Sequence, residues 1–456
     1  MQLLNLKIFF IIIFFGWQIH AQNFDKSIIS NHATDGVYGI LEKDLDDDGD
    51  LDLMSASQND NTLAYYINDG TGIFTQKIIV TDFTGATSID GADFNNDGLM
   101  DFVAVGDSEL AWFENNGDET FTKHSIEVNL DTPLQVRAYD LGSLLDPGTP
   151  DGDIDIGLLE SGAGYVVVYI NEDSDFTRYN LIEVNQPKYL HGGDFNNDGD
   201  PDLLVPSFGD NKIEWYKLGT WGFEVGGTVI TGFNGVFGVE GGDINKDGYD
   251  DVVAAAYLDN ELAWFENDGT GQNFIKHTID HQLSGASYVH LLDIDNDNDM
   301  DIIADAYGTV SGNTTTGHQM VIYYNDGHQV FTKTIVDDTE MGMAVFSVQD
   351  FTGDNLYDIA FAANLSNEII LLKNNTLGVK NNARQDLLIY PNPASDFINI
   401  HTLKEIDKVE IFDITGRKVW IGSGHQIYLQ NFKKGYYLVK VSFVSGIKTV
   451  QKIIVK

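Results

Sequence analysis

The sequence predicts an all-β protein in which a seven-bladed β-propeller, closed by its N-terminal strand, is followed by a small C-terminal β-sandwich domain. The first observation behind this prediction is an aspartate-rich segment, called the Asp loop below, that recurs at intervals of 47 to 57 residues. The second is that each interval holds several short apolar segments with little helical periodicity. The third is the fixed period itself, which is typical of repeat architectures. The seven copies begin at Asp44, Asp93, Asp140, Asp194, Asp243, Asp293 and Asp350.

Residues 1–21 are predicted to be a secretory signal peptide. Lys7 precedes a ten-residue apolar stretch, Ile8–Trp17, and Ala21 offers a small residue for cleavage. The stretch is too short for a comfortable membrane span, although an uncleaved anchor is the alternative. We therefore expect an exported protein with no transmembrane anchor in the mature chain. Because the chain has no Cys, its rigidity cannot come from disulfides, and bound metal could supply it.

The charge of the chain is divided unevenly. Residues 22–376 hold 13 Lys and Arg against 64 Asp and Glu, a net charge of −51. Residues 377–456 hold 12 Lys and Arg against 6 Asp and Glu, a net charge of +6. The acidic part would repel phosphate backbones and anionic membrane surfaces, which argues against nucleic acid as a partner. Its clustering in the Asp loops favours divalent cations.

Each repeat contains three further marks after its Asp loop. In order, they are an apolar strand such as Leu51–Ala56, an aromatic strand such as LAWFENN at Leu110, and an F-x-K-like strand such as FTKHSI at Phe121. The aromatic strands are apolar at adjacent positions, as at Trp112 and Phe113, so both faces must be covered. A radial stack of sheets covers both faces of each blade with its neighbours.

The seventh repeat lacks its F-x-K-like strand, and a matching segment stands at the start of the mature chain. This segment is NFDKSII, Asn23–Ile29. We expect it to complete the last blade and close the ring, because no strand edge is then left bare. The alternative is a coincidental match that precedes an open solenoid.

The Asp loops place a carboxylate or amide at alternate positions and a residue suited to a sharp turn at position six. Calcium accepts about six to eight oxygen ligands in flexible geometry, here from side chains at positions one, three, five and nine and the carbonyl at position seven. The loops are not EF-hands, since position twelve is not Glu and strands flank them. The alternative is an Asx-rich turn that needs no ion. We expect about five to seven Ca²⁺ ions.

Five loops are regular and two are irregular, because the third carries an insertion and the seventh has Thr at position three and Asn at position six. The ligands predicted for the regular loops are Asp44, Asp46, Asp48, Asp50, Asp52, Asp93, Asn95, Asp97, Leu99, Asp101, Asp194, Asn196, Asp198, Asp200, Asp202, Asp243, Asn245, Asp247, Tyr249, Asp251, Asp293, Asp295, Asp297, Asp299 and Asp301. Those predicted for the irregular loops are Asp140, Asp151, Asp153, Asp155, Asp350, Thr352, Asp354 and Asp358.

The D-x-[DN]-x-D-G-x-x-D loops, followed by an apolar strand and a WFENNG-like strand, resemble FG-GAP/VCBS repeats. The resemblance covers about residues 23–376. It implies a seven-bladed propeller similar to the head of integrin α-subunits, with calcium in the hairpin loops.

A polar linker, residues 377–386, leads to a second predicted domain, residues 387–456. This domain carries YPNPASDFINI (Tyr390–Ile400), TGRKV (Thr415–Val419) and KGYYLVKV (Lys434–Val441). These segments resemble the type A sorting domain of the Bacteroidetes type IX secretion system. The resemblance implies interaction with that machinery, export across the outer membrane, and removal of the domain with release or attachment at the cell surface.

One further constellation lies three residues before each Asp loop, on the strand expected to be nearest the propeller channel. Five of its seven residues are ionisable, and a ligand or catalytic site could use Arg137, His191, Glu240 and His290. The alternative is a hydrated polar channel lining. We expect a secreted or surface-attached binding or adhesion module for a glycan or protein. A polysaccharide-degrading enzyme with its site at the channel mouth and a purely structural surface component remain alternatives.

Overall fold

The computed structural model describes residues 24–32, 34–140, 152–172, 174–199, 202–219, 222–311, 314–340, 342–375, 388–390, 394, 397–402, 406–413, 417–430, 432–444 and 448–456. They form two compact units with a boundary between Asn375 and Thr376. The predicted signal peptide and linker lie outside these residues. No helix in the described part of the chain is long and apolar enough to cross a membrane.

The first unit contains seven four-stranded antiparallel sheets, called blades 1 to 7. The N-terminal strand is β1 (Phe24–Ser30). Blade 1 contains β2 (Val37–Lys43), β3 (Asp52–Ser57), β4 (Thr62–Asn68) and β5 (Phe74–Val80). Blade 2 contains β6 (Ser88–Ala92), β7 (Asp101–Val105), β8 (Glu109–Asn115) and β9 (Phe121–Val128). Blade 3 contains β10 (Pro133–Tyr139), β11 (Asp155–Glu160), β12 (Tyr165–Glu172) and β13 (Asp175–Glu183).

The remaining blades follow the same order. Blade 4 contains β14 (His191–Gly193), β15 (Asp202–Ser207), β16 (Lys212–Gly219) and β17 (Gly222–Thr231). Blade 5 contains β18 (Val236–Gly242), β19 (Asp251–Ala256), β20 (Glu261–Asn267) and β21 (Phe274–Asp280). Blade 6 contains β22 (Ala286–Leu292), β23 (Asp301–Ala306), β26 (Gln319–Asn325) and β27 (Phe331–Asp337), with a hairpin of β24 (Thr309–Ser311) and β25 (Thr314–Thr316) inserted. Blade 7 contains β28 (Met343–Gln349), β29 (Asp358–Ala363), β30 (Glu368–Asn374) and β1.

The N-terminal strand closes the ring, as the sequence predicts. Strand β1 pairs antiparallel with β30, with Phe24 opposite Asn374 and Ile28 opposite Ile370. The first strand of blade 1, β2, contacts both β28 of blade 7 and β6 of blade 2. The first strands of the blades therefore line the centre of a closed seven-bladed propeller.

The hydrophobic core of the propeller lies between the blades. Trp112 and Phe113, neighbours on β8, are both buried but pack on opposite sides. Trp112 packs against residues of blade 3, whereas Phe113 packs against residues of blade 1. Because each blade is covered on both faces by its neighbours, adjacent apolar positions in the aromatic strands are both buried, which confirms the prediction.

The second unit is a small β-sandwich, also as predicted. One sheet contains β31 (Leu388–Tyr390), β32 (Phe397–His401) and β35 (Gln426–Tyr428). The other contains β33 (Ile406–Asp413), β34 (Lys418–Gly422), β36 (Gly435–Phe443) and β37 (Lys448–Val455). Ile398 of the first sheet and Ile411 and Val439 of the second belong to one buried cluster.

Candidate functional site

Each Asp loop joins the first and second strands of its blade, and all seven loops share one defining hydrogen bond. The backbone amide at position six donates to the carboxylate at position one. The distance is 3.1 Å from Gly49 N to Asp44 Oδ2 and 2.8 Å from Gly98 N to Asp93 Oδ2. In the third loop it is 3.1 Å from Gly152 N to Asp140 Oδ2. The insertion in that loop therefore leaves this part of the turn intact.

Position six requires a left-handed backbone conformation. Its φ angle is 90° at Gly49 and 96° at Gly152, and a Cβ at either position would have no atom within 4 Å. The constraint is therefore conformational rather than steric. Asn298 and Asn355 take this position in blades 6 and 7 with φ angles of 72° and 65°. Asn is one of the few residues that tolerate this region, so both loops keep the turn without Gly.

The Asp at position nine is buried and anchors the loop to the blade. Asp52 Oδ2 accepts a hydrogen bond from Leu45 N at 2.8 Å, and Asp52 Oδ1 accepts one from Asn68 N at 2.7 Å. Burial, together with the nearby carboxylates of Asp46 and Asp48, raises the pKa of Asp52 to about 6. The pKa of Asp251 and of Asp358 is raised to about 7 for the same leading reason. A bound cation would offset this cost of keeping the carboxylates ionised.

An Asn at the end of the third strand is a structural residue that the sequence reasoning missed. Asn68 Nδ2 donates to Leu51 O of its own loop at 3.0 Å and to Phe351 O of blade 7 at 2.9 Å. Asn171 and Asn267 bridge their own loop to the preceding blade in the same way. The signal was present in the sequence, because the aromatic strands repeatedly end in Asn.

Two loops bring three carboxylates close enough to share one ion. Ligand oxygens of Asp44, Asp46 and Asp52 lie within 4.8 Å of one another, as do those of Asp293, Asp295 and Asp297. Within the described residues, Asp44 Oδ1 is buried without a hydrogen-bond partner. An all-oxygen, carboxylate-rich donor set suits a hard cation such as Ca²⁺. These residues therefore fit the predicted metal, and the other regular loops supply Asn95, Asn196 and Asn245 at position three.

The remaining predicted ligands take more varied positions. Asp151 and Asp200 fall outside the described part of the chain. In the seventh loop the Thr352 hydroxyl hydrogen-bonds Asp358. Side chains at position seven join neighbouring loops, since Asn96 Nδ2 donates to Asp153 Oδ1 at 2.9 Å and Lys246 Nζ lies 2.5 Å from Asp299 Oδ1. A ligand at position seven would therefore come from the backbone carbonyl, as the sequence reasoning assumed.

Three of the four channel candidates come together. His290 Nδ1 lies 3.0 Å from Glu240 Oε2, and His191 Nε2 lies 3.6 Å from Glu240 Oε1. Glu240 Oε2 also accepts a hydrogen bond from Leu291 N at 3.1 Å. His191 Nδ1 accepts one from Gly241 N at 3.1 Å, which leaves the ring proton on Nε2, facing Glu240.

Electrostatics favour an ionised Glu240–His290 pair within this trio. Burial alone would raise the pKa of Glu240, but hydrogen bonds from His191 and His290 outweigh it and hold the pKa below its usual value. Burial likewise opposes protonation of His290, whereas the hydrogen bond and charge of Glu240 raise its pKa above the usual value. Both Glu240 oxygens are therefore engaged within the protein, which favours a structural over a catalytic role for this carboxylate.

Arg137, the fourth candidate, lies apart from the trio. Its Nη1 donates to Val136 O at 2.8 Å, and no carboxylate among the described residues forms an ion pair with it. It lines a cavity of about 310 Å³ between blades 3 and 4, called the blade 3–4 cavity below. The other lining residues include Tyr139, Gly157, Tyr189 and His191.

Aromatic side chains fill the channel next to this layer, on the side away from the Asp loops. The ring centroids of Tyr189 and Tyr288 lie 5.8 Å apart, and those of Phe237 and Tyr288 lie 5.2 Å apart. With Tyr38 they line a cavity of only about 30 Å³, which is enough for about one water molecule. These aromatic residues constrict the channel at this level.

Comparisons with known proteins found family matches to segments of both units. Residues 388–456 match the secretion system C-terminal sorting domain family. The FG-GAP-like repeat family matches residues 44–104, 93–142, 194–254 and 243–304. A solved structure described as showing specific recognition of non-reducing terminal N-acetylglucosamine by an Agrocybe aegerita lectin is similar to this chain, with a TM-score of 0.45 and 18% identity. The match covers 67% of this chain and 81% of that chain. A search of curated protein sequences found no match.

Proposed function

We propose that this chain, an FG-GAP-repeat propeller with a type IX secretion sorting domain, acts outside the cell as a calcium-stabilised binding module for a glycan or protein. The sorting domain directs the protein to secretion and the cell surface through the type IX system. The repeats supply the propeller that is exported with it.

The shared backbone of the Asp loops supports the calcium part of the proposal. Asp44, Asp46 and Asp52 would hold one ion in blade 1, and Asp293, Asp295 and Asp297 would hold one in blade 6. Each ion would neutralise carboxylates that otherwise repel one another and would fix the hairpin tip between the first two strands. An ion that binds only the folded state raises its stability. Calcium therefore has a structural role in this proposal.

One observation supports binding over catalysis. His191, Glu240 and His290, the most concentrated group of acid and base side chains in the channel, are hydrogen-bonded internally. The blade 3–4 cavity beside them holds the Arg137 guanidinium, which has no carboxylate partner in the part of the chain that the structure describes. A cavity of about 310 Å³ is at the lower end of the size range of small-ligand sites. In this proposal the blade 3–4 cavity is the receptor site, and it lies next to a cluster whose carboxylate is already hydrogen-bonded within the protein.

The proposal is tested with the purified, calcium-loaded full chain on a glycan array and a panel of extracellular proteins, followed by a product assay on each ligand found. We expect binding without turnover. Release of products from a bound polysaccharide, lost in His191→Ala, would replace this proposal with an enzyme. Absence of any ligand from both panels would indicate a purely structural surface component.

A further inference from the structure

An unusual distribution of cations points to the ligand of the blade 3–4 cavity. The propeller segment, residues 22–376, has about five acidic residues for each basic one. Nine of its 13 Lys and Arg residues accordingly lie within 4 Å of a carboxylate: Lys26, Lys43, Lys77, Lys123, Arg178, Lys212, Lys246, Lys276 and Lys333. Within the part of the chain that the structure describes, the other four form no such pair, and they are Arg137, Lys188, Lys217 and Lys373.

Arg137 and Lys188 both line the centre of the propeller. They share the wall of the small cavity at the aromatic constriction, together with Tyr189. Lys188 Nζ lies 5.3 Å from the centroid of the Phe208 ring, and burial lowers its pKa. Two cations without a carboxylate partner, close together in a strongly acidic protein, leave a local positive charge. That charge is available to an anion from outside.

The cavity itself exists because blade 3 differs from the other blades at one core position. Gly157 stands opposite Arg137 in the pairing of β10 with β11. The six other blades have a side chain at the position equivalent to Gly157: Met54, Val103, Leu204, Val253, Ile303 and Ala360. Gly157 has no left-handed φ, so its backbone conformation does not require glycine. A Cβ there would make ordinary van der Waals contacts with Arg137 O at 3.8 Å and with the Tyr139 ring at 3.9 Å, so a side chain at this position would occupy space beside Arg137 and Tyr139.

The walls of the cavity suit a sugar ring that carries one carboxylate. Among the described residues, the Arg137 guanidinium hydrogen-bonds the protein through Nη1 alone, so Nε and Nη2 can donate to a planar carboxylate. Tyr139 is 52% exposed at the cavity rim and offers an aromatic face. The surrounding carboxylates disfavour a densely charged polyanion and favour a ligand with a single negative charge.

We propose that the blade 3–4 cavity binds a uronic acid residue of an acidic glycan, with its carboxylate on Arg137 and its ring against Tyr139. This inference rests on the proposed binding function and names the ligand class for it. Arg137 and Tyr139 contact the ligand, Gly157 provides the space, and Lys188 strengthens the local positive charge.

Titration calorimetry on the calcium-loaded full chain tests the inference with glucuronate and galacturonate as probes. Glucose, glucuronate methyl ester and glucose 6-sulfate are the comparison ligands. We expect at least one uronate to bind, and to bind about tenfold or more tightly than glucose or the ester, since both lack the charge that Arg137 would pair. Equal binding of glucose, or tighter binding of the sulfate, would overturn the carboxylate assignment.

Variants locate the site. Arg137→Gln should weaken uronate binding about tenfold or more, and Gly157→Val should block it by filling the cavity with a side chain that blades 2 and 5 carry at this position. Lys217→Gln removes an exposed cation that also lacks a carboxylate partner among the described residues, and it should leave binding unchanged. Unaltered melting temperatures would show that the variants fold. If folded Arg137→Gln still bound the uronate as tightly as wild type, the assignment of the uronate to the blade 3–4 cavity would be overturned.

The outcomes separate this inference from the proposed function. If the array yields a neutral glycan or a protein ligand while uronates fail to bind, the binding function stands and the uronate site is wrong. If the array and the calorimetry both yield nothing, the binding function fails as well.

Discussion

The Asp loops and the channel position three residues before them lie at one end of the same first strands, yet they follow opposite rules. The loops keep one hydrogen bond and one left-handed turn in all seven blades, even where Gly is replaced or where the third loop is longer. The channel position holds Leu41, Asp90, Arg137, His191, Glu240, His290 and Ser347 in turn. A feature repeated in every blade serves the fold that all blades share. A feature that varies from blade to blade can produce a single asymmetric site.

The largest effect should come from removing calcium, because this would act on all the calcium-binding Asp loops at the same time. At a free calcium concentration 100 times Kd, each site contributes about 2.7 kcal/mol to folding. With several sites lost together, we expect a chelator to lower Tm by about 10 °C or more. Differential scanning calorimetry with and without chelator measures this, and re-addition of calcium is the control. An unchanged Tm would refute a structural metal and leave the loops as ion-free Asx turns.

The next largest effect should come from Asn68→Ala. The substitution leaves the carbonyls of Leu51 and Phe351 without their donor at a buried junction between blades 1 and 7. Each buried acceptor left unsatisfied costs about 1–3 kcal/mol, so we expect a loss of about 2–4 kcal/mol in the free energy of unfolding. Denaturant unfolding measures this. Asn116→Ala, which removes two exposed hydrogen bonds, one to Thr120 and one from Thr122, is the matched control and should change little. Equal effects of the two variants would contradict the role of Asn68 as a bridge.

A smaller effect should follow a change at one metal loop. Asp46→Asn removes one of the three clustered carboxylates of blade 1, whereas Asp47→Asn removes an exposed carboxylate at position four of the same loop. We expect the first variant to lose or weaken one calcium ion and about 1–3 kcal/mol of calcium-dependent stability, while the second behaves as wild type. Metal analysis after dialysis, together with calcium titration, distinguishes them. An identical calcium content in both variants would place the ion elsewhere.

The smallest effect should come from the channel position, where His191, Glu240 and His290 should make the stability of the fold depend on pH. The folded pKa of His290 is raised, so its contribution is complete below the unfolded value of 6.5 and is lost as pH rises through the folded value. The folded pKa of Glu240 is lowered, so its contribution is present above the unfolded value of 4.5 and is lost as pH falls through the folded value. The Glu240–His290 pair therefore stabilises the folded protein most between pH 4.5 and pH 6.5. Because His290 is partly exposed to solvent, we expect about 1 kcal/mol or less.

Melting temperatures of wild type and Glu240→Gln across the pH range measure this contribution. Their difference should be largest between pH 4.5 and 6.5 and should shrink at alkaline pH. A difference that grows steadily with pH would mean that His290 is not charged in the folded protein.

The sequence was sufficient to predict the architecture because the period, the aromatic strands and the missing seventh F-x-K-like strand are local signals. It also predicted the loops, and the structure shows that the irregular third and seventh loops keep the same turn, whereas their metal binding stays a prediction. Asn355 keeps the turn in the seventh loop because it adopts the left-handed φ that Gly adopts in most of the others.

The candidate channel site was only partly predictable. Spacing placed Arg137, His191, Glu240 and His290 at equivalent positions, but it could not show that three of them pair across blades and the fourth does not. The blade 3–4 cavity depends on the absence of a side chain at Gly157, and an absence becomes visible only when the seven blades are compared in register. The Asn bridges were visible in the sequence, but their partners lie in the preceding blade.

The closure of blade 7 by β1 also sets the order in which the molecule can be completed. The first strand of the propeller has to wait for β30, more than 300 residues later, before it can pair. Until β1 pairs with it, β30 has one unpaired hydrogen-bonding edge. A chain that has not yet been synthesised as far as β30 cannot form the complete ring. Contacts of such long range make folding slow. Ring closure is thus a late event in folding. A chaperone or transport factor that binds the nascent protein would therefore bind an open array of blades with unpaired strand edges.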